Sequence, residues 1–188
     1  MAVTATDIVN QALQLVGGDI QPVTGVSPSF DDSDAGLAAQ RLYVPAVSTV
    51  ARSFGFDFSR NAVQLQPSGN TPPAPWAFEY LYPPISIEIR QLMPTAIDPN
   101  DPIPVDWVTD NNIVNGRSTK VIQTNFSPVM AVYTNQPPES LWDPLFREAV
   151  VRLLANEFSM ALDGKPDIAN MSLEQYTDFM QVAVTRQD

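Results

Sequence analysis

The chain has 188 residues, with ten Lys and Arg against twenty-one Asp and Glu, which gives a formal net charge of -11. Hydrophobic residues make up 44% of it and charged residues 16%, a balance that indicates a globular chain rather than a disordered one. It contains no His and no Cys. That absence excludes disulfides, thiolate zinc sites and catalytic triads in which imidazole is the base.

The acidic charge also bears on the kind of partner. A net negative surface disfavours tight DNA binding, because such binding depends on cations that replace the counterions of the phosphates. No apolar run approaches the ~18 residues that a membrane span needs. The N-terminus lacks the basic start and apolar run of a signal peptide. We therefore expect synthesis in a cytoplasm and no membrane partner.

The first predicted helix covers residues 4–16, where Thr4 and Asp7 form a capping-box-like start. A second helix begins near Ser33, with acidic residues at its N-terminus that favour the positive end of the helix dipole. These acids could also suggest a calcium loop, but the Gly and distal Glu of such a loop do not follow. Pro45 predicts a kink in this helix or a break into two segments.

The composition changes after Phe54 to a segment rich in proline and β-branched residues. Short alternating runs within it predict strands. Asn115 and Gly116 form a dipeptide favoured in two-residue hairpin turns. The predicted strands cover residues 62–65, 76–81, 85–89, 105–108, 113–114, 120–124 and 129–134. We interpret the segment as a small antiparallel barrel or sandwich inserted between helices.

Helical periodicity returns at Asp143, a predicted cap with Pro144 as the first helical residue, and lasts to about Gly164. A terminal helix is predicted from about Ser172 to the end. The sequence therefore predicts an α+β fold. N- and C-terminal helices, residues 1–54 and 138–188, form a bundle, and residues 55–137 form the inserted antiparallel β subdomain.

The terminal helix carries two apolar faces when its residues are placed at helical spacing. The first face is predicted to pack on the preceding helix and holds Leu173, Tyr176, Thr177, Met180, Ala183 and Val184. The second face holds Phe179 and Val182, with Arg186 beside them. A second apolar face requires a second packing partner, which is either another helix of the same chain or another protein.

The sequence offers little that is typical of catalysis. Residues 116–120 superficially resemble a phosphate loop, but the order of Lys120 and the hydroxyl residues is wrong and no helix follows. Asp98 and Asp101 could form a carboxylate pair or bind a cation, yet a proline-rich turn explains them better. We predict no catalytic residue, no metal and no cofactor.

Several motifs together make the chain similar to a known family. It resembles the tail tubular protein A-like adaptors, the head-to-tail connectors of short-tailed phages. The motifs are TDIVNQALQLVG at 6–17, Tyr43 on the second helix, FGFDF at 54–58, WAFEYLYPP at 76–84, LWDPLFREA at 141–149 and the helix of Tyr176. Two positions depart from the family pattern, since Phe56 stands in place of a tryptophan and Asp57 in place of an asparagine.

The resemblance implies a structural virion protein rather than an enzyme. Such adaptors form a dodecameric ring at the head-tail interface, under the portal protein and above the tail nozzle or tail tube, with tail fibres as further partners. DNA passes through the lumen without specific binding. On this expectation the partner-binding residues are Phe179, Val182 and Arg186 of the terminal helix.

Three alternatives stay open at the level of sequence. Trp76 and Phe78 could stack on sugars in a carbohydrate-binding tail or receptor module, although they could equally fill the core of the β subdomain. A head-completion protein of a long-tailed phage would have a closely similar sequence pattern. The enzymatic alternative is a metal-dependent hydrolase with oxygen ligands, which would use Asp98 and Asp101.

Overall fold

The fold is α+β, as predicted, with helices and antiparallel sheets in two compact units. A computed structural model describes residues 3–17, 20–53, 55–95, 105–163 and 166–185. Residues Met1–Phe58 and Gln136–Asp188 form the first unit, here called the helical unit. Residues Ser59–Asn135 form the second, here called the β unit.

The helical unit is organised around one central helix. Its helices are α1 (Ala5–Val16), α2 (Asp34–Ser53), α3 (Pro144–Phe158) and α4 (Pro166–Thr185). Two short strands, β1 (Gly25–Val26) and β2 (Ser29–Phe30), form a hairpin between α1 and α2. Helix α3 contacts each of the other three helices. This central position explains why Phe146, Val150, Leu154 and Phe158 of α3 are all fully or almost fully buried.

Helix α1 begins at the predicted capping box. The Asp7 backbone N–H donates to Thr4 Oγ1 at 3.2 Å, and the Thr4 backbone N–H donates to Asp7 Oδ2 at 2.9 Å. These hydrogen bonds hold the pKa of the Asp7 carboxyl below its usual value. Four apolar residues of one face, Ile8, Val9, Ala12 and Val16, are completely buried. Local sequence signals therefore suffice to place this helix.

Removal of the cap should have a measurable cost. Thr4→Ala is expected to lower the free energy of unfolding by about 1 kcal/mol, because the Asp7 N–H loses its acceptor. Urea denaturation followed by circular dichroism at 222 nm would measure the change. Thr49→Ala is a matched control in the interior of α2, where no cap is lost, and a loss as large as that of Thr4→Ala would contradict the assignment.

Helix α2 is a single helix through Pro45, so the predicted alternative of two separate segments is wrong. Its start is fixed by Ser33, whose Oγ accepts the Gly36 N–H at 3.0 Å. Asp31 accepts hydrogen bonds from the backbone and hydroxyl groups of Thr24 and Ser33. Its carboxylate is thus used in building the turn, which supports capping over the calcium-loop interpretation.

Helix α3 begins where the sequence predicts, with Asp143 Oδ1 accepting the Leu145 N–H at 2.8 Å and Pro144 as the first helical residue. It ends earlier than predicted, because a π-helical turn (Ser159–Asp163) follows Phe158. Helix α4 begins at Pro166, not near Ser172. Proline suits the first helical position because its missing N–H has no partner there in any case.

The boundaries between the helical unit and the β unit lie at slightly different residues from those predicted. The β unit covers Ser59–Asn135, whereas the predicted insert covered residues 55–137. The reason is an aromatic cluster in which Phe56 and Phe58 pack on Phe146 of α3, at ring-centroid distances of 4.9 and 5.1 Å. Trp142 contacts the same Phe146 ring at 4.8 Å. These contacts assign the FGFDF motif to the helical unit.

The β unit consists of two three-stranded antiparallel sheets. Its strands are β3 (Arg60–Gln64), β4 (Phe78–Leu81), β5 (Glu88–Pro94), β6 (Trp107–Val114), β7 (Arg117–Thr124) and β8 (Val129–Thr134). The strand orders are β3-β8-β5 and β4-β7-β6. One hydrophobic cluster takes side chains from both sheets, among them Tyr80, Leu92, Ile122 and Ala131. The two sheets therefore share a core, as in a small sandwich.

Three predicted strands of the β unit need correction. The run at residues 85–89 alternates in sequence, but β5 begins only at Glu88 and Ile85 is 64% exposed. The runs at residues 105–108 and 113–114 belong to one strand, β6, with polar residues between them. The hairpin prediction is confirmed. Asn115 and Gly116 have φ of 52° and 76°, as a type I′ turn requires, and join β6 to β7.

Candidate functional site

The predicted partner-binding residues lie on α4. Phe179 is half-buried and Val182 is 42% exposed. Arg186 lies outside the described residues. Phe179 and Val182 therefore do not form one exposed patch, since only Val182 of the two is exposed. Their role in partner binding stays a prediction.

The inward face of α4 differs from the predicted stripe. Leu173 is 44% exposed and Thr177 is exposed, whereas Ala169 and Ser172 are buried. Tyr176 and Phe179 follow Ser172 at helical spacing and are half-buried. The predicted assignment of Leu173 and Thr177 to the packing face was wrong, because small residues set the closest approach of α4 to the rest of the unit.

Hydrogen bonds fix this orientation of α4. Asn156 Nδ2 of α3 donates to the Ala169 carbonyl oxygen at 2.9 Å. The hydroxyls of Ser53, at the end of α2, and Tyr176 lie 3.4 Å apart. These two contacts lie on the buried side of α4 and leave the opposite side to solvent.

The solvent-exposed side of α4, here called the outer face, is apolar and acidic. It includes Met171, which is 49% exposed, whereas exposed Leu173 lies about 160° away around the helix axis. Glu174 and Asp178 are exposed on the same side, one helical turn apart. Thr177 lies on the side of Leu173, and its hydroxyl donates to the Leu173 carbonyl oxygen at 3.0 Å. The outer face thus combines the exposed side chain of Met171 with two carboxylates.

An open groove lies on another part of the helical unit. It has a volume of about 750 Å³ and is lined mainly by apolar side chains. The first turns of α2 form one wall with Leu37, Ala38 and Leu42, and Leu162 of the π-helical turn forms the other. Arg41 of α2 is the one cation among the lining residues. The sequence does not reveal this groove, because it depends on how the π-helical turn meets α2.

The β unit contains a buried carboxylate held entirely by neutral groups. Glu79 of β4 is only 3% exposed. Its Oε1 accepts from Ser68 Oγ at 2.7 Å and Asn70 Nδ2 at 3.1 Å, and its Oε2 accepts from Asn112 Nδ2 at 2.9 Å and Gln123 Nε2 at 3.2 Å. Burial raises the pKa of Glu79, but these hydrogen bonds outweigh it and hold the pKa below its usual value.

The Glu79 cluster is structural in character. Glu79 lies opposite Gln123 in the β4–β7 ladder, on the face away from Tyr80 and Ile122 of the shared core. Asn70 also donates to the Ile113 carbonyl oxygen of β6 at 3.0 Å. The segment from Ser68 to Asn70 therefore crosses this second face of the sheet. Because the four hydrogen bonds occupy both carboxylate oxygens, Glu79 is poorly suited to take a proton from a substrate.

The other candidate groups are dispersed. Lys120 lies over the Tyr82 ring, 3.8 Å from its centroid, on a strand and not in a phosphate loop. Asp98 and Asp101 lie outside the described residues. Trp76 is half-buried before β4, and Phe78 is 40% exposed, so the carbohydrate-binding alternative stays a prediction. Within the described ranges, no group of three or more acidic residues could hold a metal ion.

The comparisons with known proteins add no family. No family model matches the chain, and no curated protein matches it. No helix in the part of the chain that the structure describes is long and apolar enough to cross a membrane.

Proposed function

We propose that the chain is a structural head-to-tail adaptor of a tailed phage. Its subunits assemble into a dodecameric ring between the portal protein and the tail nozzle, and DNA passes through the lumen. The observation that carries the proposal is the arrangement of α4, which packs on the unit by one face and leaves Met171 and Val182 exposed on one side of the helix and Leu173 exposed on another. Apolar side chains that recur on one side of a helix, as Met171 and Val182 do, can serve as anchors for another protein.

The absence of recognisable chemistry among the described side chains is consistent with this role. Two acidic side chains, Glu79 and Glu139, are held by hydrogen bonds within the chain. The Tyr43 hydroxyl donates to Glu139 Oε1 at 2.9 Å and ties α2 to the turn before α3. A ring subunit needs such rigid internal ties, because its interfaces must be presented in a fixed geometry.

The net charge of -11 leads us to expect a negatively charged lumen. A negative lumen repels the phosphates of DNA and so lets the genome pass without being trapped. A ring whose lumen is lined by Arg and Lys would contradict this part of the proposal.

A charge placed on the outer end of α4 tests the proposed contact. Val182→Asp is expected to weaken binding to the portal protein of the same phage by roughly 100-fold, since burial of an unpaired charge costs about 3 kcal/mol. Biolayer interferometry with immobilised portal rings would measure the affinity. Val182 is preferred to Phe179 because Phe179 is half-buried and its replacement would also disturb folding.

Val26→Asp is the matched control for this experiment. Val26 lies on β1 of the same unit and is 70% exposed, so the substitution adds the same charge at a different surface. If Val182→Asp binds the portal as tightly as Val26→Asp and the unsubstituted chain do, this end of α4 is not a portal contact.

A further inference from the structure

The sheets of the β unit end in edge strands, whose outer backbone groups can pair with another strand unless something closes them. The edge of β4 is closed by the segment before it. The Leu81 N–H donates to the Gln66 carbonyl oxygen, and the Ser68 N–H donates to the Glu79 carbonyl oxygen, both at 2.9 Å. The edge of β5 is interrupted by a register shift and ends at Pro94, which has no N–H. Neither edge can therefore form a regular ladder with a further strand.

Side chains close part of the edge of β6. The residues that flank its two-residue turn hydrogen bond to each other, so the backbone groups of its odd-numbered residues point away from β7. The Asn111 N–H donates to Asp110 Oδ1 at 2.8 Å, and the Ile113 N–H donates to Asn112 Oδ1 at 2.8 Å. The Ile113 carbonyl oxygen accepts from Asn70 Nδ2 at 3.0 Å. These contacts occupy groups that a further strand would need.

The direction of the backbone groups of β3 is fixed at both of its ends. The Asn135 N–H donates to the Ser59 carbonyl oxygen at 2.9 Å, and the Leu65 N–H donates to the Val129 carbonyl oxygen at 3.0 Å. In an antiparallel ladder, successive residues alternately turn their backbone groups toward the partner strand and away from it. The odd-numbered residues of β3 therefore face β8, and the even-numbered residues turn their backbone groups outward.

These outward groups of β3 are open. Among the residues that the structure describes, none hydrogen bonds to the N–H groups of Ala62 and Gln64 or to the carbonyl oxygens of Arg60 and Ala62. All three residues are exposed. An open edge of this kind is a template for an extended strand of another chain.

We propose that β3 pairs with β3 of a second copy of this chain, antiparallel and centred on Ala62. In this register Ala62 of one copy lies opposite Ala62 of the other, and Arg60 lies opposite Gln64. Each Ala62 N–H then donates to the other Ala62 carbonyl oxygen, and each Gln64 N–H donates to the Arg60 carbonyl oxygen across the contact. All the open groups named above are thereby paired.

Three features of β3 favour a second copy as the occupant. Its open donors and acceptors match each other under a two-fold rotation. Arg60, the charged residue of β3, faces neutral Gln64 rather than a second arginine, whereas like charges directly opposite destabilise a strand pair. Ala62 places a small side chain at the axis. Because a two-fold contact closes at two copies, the inference goes beyond the proposed ring and does not depend on it.

The dimer is expected to be weak, because β3 contributes 5 residues from each copy. Such a contact buries less than the roughly 1,200 Å² of a standard interface, so we expect a dissociation constant of roughly 100 μM. Sedimentation velocity of the chain without portal protein, from roughly 10 μM to 1 mM, should show a change from the mass of one copy to that of two. A chain that stays monomeric over this range overturns the inference.

Ala62→Pro tests the contact at its centre. The proline removes the central N–H, but the ladder with β8 loses no hydrogen bond because that N–H faces outward. Dimerisation should weaken by roughly tenfold or more, since both central hydrogen bonds are lost. Thr109→Pro, which removes an outward N–H from the edge of β6, is the matched control and should dimerise as the unsubstituted chain does. Circular dichroism verifies that both variants are folded, and undiminished dimerisation of Ala62→Pro contradicts the contact.

Ala62→Cys gives a second readout that leaves the backbone hydrogen bonds intact, since the chain contains no other cysteine. Opposite residues of a hydrogen-bonded pair have Cα atoms about 5.5 Å apart, which a disulfide can bridge. Oxidation at the concentration where the dimer forms, followed by non-reducing electrophoresis, should give a covalent dimer, whereas the control Thr109→Cys should stay monomeric. An Ala62→Cys chain that stays monomeric, or that links no better than Thr109→Cys, shows that a second copy does not occupy this edge.

Discussion

Gly36→Ala is expected to lower the free energy of unfolding of the helical unit by about 3 kcal/mol, although alanine is the better helix former. A Cβ at position 36 would lie 2.9 Å from the carbonyl carbon of Asp31 and closer still to its oxygen. Movement of Asp31 away from the added Cβ would break hydrogen bonds. Its backbone N–H donates to the Thr24 carbonyl oxygen at 3.0 Å, and its carboxylate accepts hydrogen bonds from Thr24 and Ser33.

Gly55→Ala serves as the control for Gly36→Ala. An added Cβ at Gly55 meets no atom within 4 Å, so the free energy of unfolding should change by less than about 1 kcal/mol. Urea denaturation followed by circular dichroism at 222 nm reports on the helices in both variants. An unchanged or raised stability for Gly36→Ala would show that the turn before α2 does not pack as described.

Glu79→Gln is expected to destabilise the β unit by about 3 kcal/mol, despite its nearly identical shape. The two oxygens of Glu79 each accept two hydrogen bonds, so a glutamine amide group would face two donors in either orientation. Hydrogen exchange of the β6 and β7 backbone amides measures the stability of this unit by itself. Glu174→Gln, at an exposed position, is the control and should leave these exchange rates unchanged.

The Glu79 carboxyl also makes the stability of the β unit depend on pH. Hydrogen bonds hold its pKa in the folded protein below the ordinary value of 4.5. A group whose pKa is lowered by folding contributes stability above its unfolded pKa and loses that contribution as the pH falls through the folded value. The difference in stability between the unsubstituted chain and Glu79→Gln should therefore shrink below pH 4.5. A difference that is constant or grows would contradict ionisation of buried Glu79.

The sequence predicted correctly the structural features that depend on residues close together in the chain. The capping box of Thr4 and Asp7, the Asp143–Pro144 start of α3 and the Asn115–Gly116 turn each depend on residues a few positions apart. The same is true of the division into helical and β segments, which follows the change in composition after α2.

The sequence led to wrong predictions where tertiary packing determines which residues are buried. Periodicity assigned Leu173 to the buried face of α4, but Ala169 and Ser172 determine that face because small side chains allow close approach. Phe56 and Phe58 looked like the start of the β segment, yet their rings pack on Phe146, which lies far away in sequence. Pro166, at the first helical position, was a usable signal for the true start of α4.

The buried state of Glu79 and the groove beside α2 had no local signature. Glu79 lies between Phe78 and Tyr80, and this alternation predicts a solvent-facing position on a half-buried strand. Glu79 is buried because residues 68–70 cross that face. In the sequence, only the hydrogen-bonding capacity of Ser68 and Asn70 indicates that a carboxylate could be buried there. The groove depends on the π-helical turn, which no periodicity predicts.

Light scattering on the full chain, mixed with the portal protein that the proposed function requires and separated by size-exclusion chromatography, tests ring formation most directly. A ring-forming adaptor gives one complex whose mass equals a portal ring plus a dodecamer of this chain. Elution of the chain apart from the portal, at the mass of a single copy, would contradict it.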